Sequence, residues 1–148
     1  MNSYEALNFF AKQLERNIGG KIFQTKVVVT PSSVSEKGVV IKVSLLKTFI
    51  QVLPKQILGS RMLRVRVSVA GTAESMTGLQ QALEAIEAID IYLSSPELRL
   101  ETNDAAAIPN SRIIQTISQE DSFIDSPDST AVQDVQDDRI VTITIPAA

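Results

Sequence analysis

Arg61-Met62-Leu63-Arg64-Val65-Arg66-Val67-Ser68-Val69-Ala70 reads as a strand, because Leu63, Val65, Val67 and Val69 alternate with Arg64, Arg66 and Ser68. Successive side chains of a strand point to opposite faces. One face of this segment therefore belongs to a core, and the other is basic and polar. A sheet is implied that is covered on one side only.

The flanking segments say what covers it. Residues 71–78 read as a loop, and a helix follows over about 77–93. In that helix Leu79, Leu83, Ile86 and Leu93 share a face, with Ala82 and Ile89 beside them and Gln80, Glu84, Glu87 and Asp90 outside the stripe. Ser94-Ser95-Pro96 ends it, since proline disfavours helical geometry in the residue before it. At the N-terminus, Asn2 and Glu5 have the spacing of a capping box. Leu7, Phe10, Leu14 and Ile18 then form one apolar stripe, and Gly19-Gly20 stops the helix. Residues 21–30 read as a strand, 34–38 as a hairpin loop and 39–46 as the return strand. Shorter strands are expected at 48–53, 98–101 and 112–118. Residues 119–138 are acidic, contain no lysine or arginine, and read as a mobile excursion. Val141, Ile143 and Ile145 mark a closing strand over 139–145. The order predicts an α+β domain, a mostly antiparallel sheet with two helices packed on one face.

The length, 148 residues, fits a single domain over 1–148 with a real core. There is no cysteine and no histidine, which removes disulfides, thiolate chemistry, and the commonest general base and metal ligand. The N-terminal Met1-Asn2-Ser3-Tyr4-Glu5 shows no basic leader, and no apolar run reaches the length of a membrane span, so a cytosolic protein with no membrane partner is expected.

The residues equip the chain for association rather than bond-making, and an enzyme is not expected. There is no Gly-rich phosphate loop, and a Ser-His-Asp or Cys-His arrangement is impossible. Ser44-Leu45-Leu46-Lys47 matches the Ser-x-x-Lys pattern of penicillin-recognising enzymes, but the accompanying Ser-Asp-Asn and Lys-Thr-Gly elements are missing, so a strand end is the simpler reading. Glu84 and Glu87, one turn apart, lie on the solvent side of their helix, where nothing separates their acidities. Asp121, Asp125 and Asp128 lack the alternating ligand pattern of a calcium loop. No cofactor and no metal are expected.

Charge is the informative feature. Through Arg66 the chain carries 11 basic and 3 acidic residues, and from Val67 onward 3 basic and 14 acidic, giving net charges of +8 and −11. Such asymmetry points to an interaction role. Scattered, solvated charge is one reading. Nucleic-acid binding is another, but few aromatics interleave with the cations, and the acidic half opposes a polyanion. Self-assembly through complementary patches is the reading favoured, with Lys42, Arg64 and Arg66 as interface candidates if their strands are neighbours.

Ser3-Tyr4-Glu5-Ala6-Leu7-Asn8-Phe9-Phe10-Ala11-Lys12, then Arg64-Val65-Arg66-Val67-Ser68-Val69-Ala70-Gly71, then Gly78-Leu79-Gln80-Gln81-Ala82-Leu83 set an order of helix, strands, and strand-loop-helix, followed by a terminal strand after a variable loop. In size and element order the chain resembles the tail terminator proteins of long-tailed bacteriophages. The resemblance implies a ring of identical subunits, a hexamer, that caps the tail tube and offers a surface to the head connector. It implies a structural protein of phage or prophage, cytoplasmic during assembly and then part of the virion tail, with no sequence-specific contact to nucleic acid. The alternative is a small adaptor domain binding one protein partner through its sheet.

Overall fold

The computed structural model describes residues 1–18, 27–29, 38–51, 60–73, 76–116, 123–124 and 133–146. Among these, the order is α1 (Ser3–Ile18), β1 (Val27–Val29), β2 (Gly38–Gln51), β3 (Ser60–Ala73), α2 (Met76–Leu93), β4 (Arg112–Thr116), β5 (Phe123–Ile124) and β6 (Gln133–Ile145). The strands form one six-stranded sheet in the order β1-β2-β3-β6-β4, with β5 pairing β6 beyond the stretch that β4 occupies. Every pairing is antiparallel except β1 with β2. The protein is an α+β fold.

α1 forms as its sequence dictates. The Asn2 side-chain oxygen accepts the Glu5 amide N–H at 2.8 Å, and the Asn2 side-chain amide donates to the Glu5 carboxylate at 3.1 Å. Side chains thereby satisfy a helix-end donor that the helix itself leaves open. Leu7, Phe10, Leu14 and Ile18 are all buried, as the stripe predicts. They pack with Ile41 and Val43 of β2, Leu63, Val65, Val67 and Val69 of β3, Ile113 of β4, and Val141, Ile143 and Ile145 of β6. The sheet's apolar side thus faces the helices. The closing strand does not add to an edge: β6 inserts between β3 and β4 and pairs with β3 along its whole length.

Several expectations are corrected. The strand expected at 21–30 is described only over Val27–Val29, and it runs parallel to β2, with Val27 opposite Ile41 and Val29 opposite Val43. A hairpin would have made that pair antiparallel. The separate strand expected at 48–53 belongs to β2, which continues to Gln51 past a bulge. The loop expected at 71–78 is mostly structured: β3 runs to Ala73, held by pairing as far as Ala73 with Gln133, and α2 starts at Met76.

The buried side of α2 is Ala82, Ala85, Ile89 and Leu93, whereas Leu83 is 42% exposed. Alanines let the helix approach the sheet closely, so the contact stripe sits about 100° away from Leu83. Residues 98–101 are not a strand. Only an isolated bridge of Glu101 with Ala107 forms, and the backbone is satisfied locally instead: Leu98 O accepts the Ile113 N–H at 2.9 Å, and the Ser111 hydroxyl accepts the Leu100 N–H at 3.0 Å.

The acidic stretch 119–138 was expected as one mobile excursion. Its last six residues are the first half of β6, and Phe123–Ile124 is a short strand on β6; the remainder lies outside the described residues. Acidity does not keep 133–138 out of the sheet because β3 is long enough to template it and two arginines meet its last two carboxylates, as described below.

Candidate functional site

With both helices on one side, the other side of the sheet is where the basic residues of β3 must point. Ladder register fixes which residues join them. Lys42 pairs opposite Ser68 and Ser44 opposite Arg66, so Lys42, Arg64 and Arg66 lie on one face, as expected from alternation across neighbouring strands. Lys42 is half-buried and Arg64 exposed. Neither makes an ion pair among the described residues.

Two further cations reach this face through features that alternation did not reveal. The β2–β3 register steps from Leu45 opposite Val65 to Lys47 opposite Arg64, leaving Leu46 as the extra residue of a bulge. Without the bulge Lys47 would point toward the helices; with it, Lys47 stands beside Arg64. The adjacent leucines Leu45 and Leu46, which break the strand's alternation, are the only sequence signal for it, and both are substantially exposed. On β4, Arg112 pairs opposite Thr144 and Ile114 opposite Thr142, which puts both on the same open face. Ile114 is 54% exposed.

Arg66 is different from Arg64. Its Nε lies 3.8 Å from an Asp138 carboxylate oxygen of β6 and is buried without a hydrogen-bond partner. At 3.8 Å and 41% side-chain exposure this is a loose pair, contributing roughly 0–1 kcal/mol. An acid thus stands among the cations of this face, with Asp138 side-chain exposure at 13%.

A second polar cluster sits on the helix side. Arg139 pairs opposite Val67, so its side chain enters the core layer. There its Nε donates to Asp90 Oδ1 of α2 at 2.7 Å and its Nη2 to Asp90 Oδ2 at 3.0 Å, a two-point clamp between α2 and β6. Its Nη1 donates to Asp137 and, at 3.0 Å, to the Asp138 carbonyl. Hydrogen bonding to Asp90 raises the guanidinium above its already high ordinary value, against the opposing pull of burial. A crevice beside it is lined by Val67, Val69, Ile86, Ile89, Asp137 and Arg139.

A third cluster ties the helices together. Gln13 is fully buried, donates to the Tyr92 hydroxyl at 2.7 Å and to Arg99 O at 2.9 Å, and accepts the Glu101 N–H at 2.9 Å. Burial pushes the Tyr92 hydroxyl above its ordinary value of 10.0. Sequence periodicity missed Gln13, since nothing in a helical stripe marks a polar residue as satisfied.

Of the other residues weighed for chemistry, Ser44 and Lys47 stand on this same face, with the Leu45–Val65 pair and the bulge between them. Glu84 and Glu87 are exposed on α2. Asp121, Asp125 and Asp128 lie outside the described residues. Among the described residues no group of three or more His, Cys, Asp or Glu side chains could hold a metal ion, and no helix is long and apolar enough to cross a membrane. Compared with protein-family models and with curated proteins, the chain matches none.

Proposed function

We propose that this chain is a non-catalytic structural subunit that assembles with copies of itself into a ring. It acts as a tail terminator of a phage or prophage, seated on the tail tube and presenting a surface to the head connector. The observation that supports this reading is the second face of the sheet, which is exposed around Arg64, Arg112 and Ile114 and buried toward Val40, Ser68 and Ala70. Lys42 and Arg64 stand there without intrachain counter-ions among the described residues, beside the exposed Ile114. A sheet face that mixes unpaired cations with exposed aliphatic surface is suited to a protein partner, where desolvated apolar contacts supply affinity and charge supplies register. The chain itself carries the complementary charge, because its net of −11 from Val67 onward offers acidic surface on any second copy.

The test is mass in solution. Sedimentation velocity and light scattering of the purified chain are expected to show a closed oligomer that dissociates on dilution. Arg64→Glu is expected to shift it toward the monomer with circular dichroism unchanged. A wild-type chain that remains monomeric at every concentration, with and without purified tail tube protein, would overturn the proposal.

A further inference from the structure

The outer face of α2 is not an ordinary solvent face. Ala82, Ala85, Ile89 and Leu93 are buried toward the sheet. At about 100° per residue, Gln80, Leu83, Glu84, Glu87 and Ile91 form one stripe on the opposite side. Leu83 is 42% exposed and Ile91 72% exposed. Surface helices keep that side polar, so two large aliphatics there are unexplained by the subunit's own packing. The stripe is also acidic: the helix, MTGLQQALEAIEAIDIYL, contains no lysine or arginine. Asp90 is taken up by Arg139, whereas Glu84 and Glu87 make no ion pair among the described residues. Among the described residues Glu84 accepts from the Gln80 side-chain amide, at 3.5 Å.

The open sheet face is the counterpart of this stripe in both respects. It is basic where the helix is acidic, and it too exposes an aliphatic side chain, Ile114. The spacings are compatible: Glu84 and Glu87 are separated by a rise of about 4.5 Å, and Arg64 and Arg66 by about 7 Å along β3, within the reach of their flexible side chains. The two surfaces lie on opposite sides of the same two-layer domain. They therefore cannot meet within one subunit, but they can meet between subunits, and repeatedly.

We infer that the outer face of α2, through Leu83, Glu84, Glu87 and Ile91, docks on the open sheet face of a second copy of this chain around Arg64 and Ile114. The inference rests on the self-assembly reading above and specifies its contact. Such a contact is head-to-tail: each subunit uses a different surface toward each neighbour, and the chain of contacts closes into a ring when the rotation per subunit permits.

The experiment is a charge-exchange cycle read by sedimentation across a concentration series. Four proteins are compared: wild type, E84K/E87K, R64E, and the triple variant carrying all three changes. All three positions are exposed, and circular dichroism checks the fold of each. E84K/E87K and R64E are each expected to raise the concentration for half-assembly on the order of tenfold or more, about 1.4 kcal/mol per tenfold. The triple variant is expected to assemble better than either, because the reversed charges again face opposite partners. A fourth variant, I91S, is expected to weaken assembly without altering its salt dependence. If wild type assembles and E84K/E87K assembles equally well, or if the triple variant is as defective as the sum of its parts, this contact is wrong while self-assembly stands. If wild type does not assemble at all, the self-assembly reading itself falls, and this contact with it.

Discussion

Arg64 and Arg66 are two residues apart on one strand and look equivalent in the sequence, yet their surroundings separate them. Arg64 is exposed and has no intrachain counter-ion among the described residues, whereas Arg66 has its Nε 3.8 Å from Asp138. Reversing Arg64 changes only what a partner meets, and Arg64→Glu is expected to leave monomer stability within about 0.5 kcal/mol of wild type in urea titration. Reversing Arg66 sets a carboxylate against the mostly buried Asp138, and Arg66→Glu is expected to cost roughly 1–2 kcal/mol. Equal stabilities for the two would mean that Asp138 does not sense position 66. Tyr92 offers a second residue-scale reading, through pH. Burial raises its hydroxyl above the ordinary 10.0, so the folded state holds this proton where the unfolded state has released it. The stability associated with the neutral hydroxyl is complete below pH 10.0 and is lost as pH rises through the folded value. In Tyr92→Phe, the fall in stability from about pH 9 to about pH 11 is therefore expected to be shallower than in wild type. An identical slope would show that Tyr92 titrates alike in both states.

Between elements, the critical join is α2 to β6, and Arg139 makes it by clamping Asp90 while neutralising Asp137. Arg139→Ala takes the guanidinium away from the Asp137 carboxylate, whose side chain is only 11% exposed, whereas Asp90 at 43% exposure can rehydrate. The expected cost is about 2–3 kcal/mol, below the full penalty for breaking a buried pair because one partner returns to water. Asp137→Asn in that background is expected to restore part of it, measured by chemical denaturation. The same region shows what the sequence made legible. Leu63 to Val69 announced β3, and the stripe of α1 announced its buried face, because both are written in large apolar residues at a fixed period. Residues 133–138 were opaque, since their strand state comes from a long partner, β3, and from Arg66 and Arg139 meeting their acids. In α2 periodicity places Ala82, Ile89 and Leu93 at the core, as found, but sets Leu83 inside the stripe and leaves out Ala85, whose low hydropathy hides it. The direction of β1 was invisible because local alternation describes a strand and says nothing of its neighbour's orientation. Parity was enough to put Lys42, Arg64 and Arg66 on one face of the sheet. The bulge at Leu46 that turns Lys47 onto the same face, and the register that adds Arg112 and Ile114, depend on pairing and could only be read from the sheet.

At the scale of the whole molecule, a two-layer domain has two outer surfaces, and here each carries a patch of opposite sign. The sheet side is basic around Lys42 and Arg64, and the helix side is acidic at Glu84 and Glu87. On the proposed self-assembly, a subunit polarised in this way would attract its own copies in one orientation and repel them in others, charge selecting head-to-tail order while Ile91, Leu83 and Ile114 supply apolar contact. The two contributions respond differently to salt. The screening length falls from about 14 Å at about 0.05 M to about 4 Å at about 0.5 M ionic strength, which weakens exposed charge pairs and leaves apolar contact intact. Assembly of wild type is therefore expected to weaken as sodium chloride is raised through this range without vanishing, since the aliphatic contact persists. R64E should show less of that dependence, having exchanged an attraction for a repulsion that salt relieves. Light scattering at fixed protein concentration measures both. Wild-type assembly that strengthens steadily with salt would identify an interface dominated by apolar area, and would remove the polarity of the two faces as the device that orders the subunits.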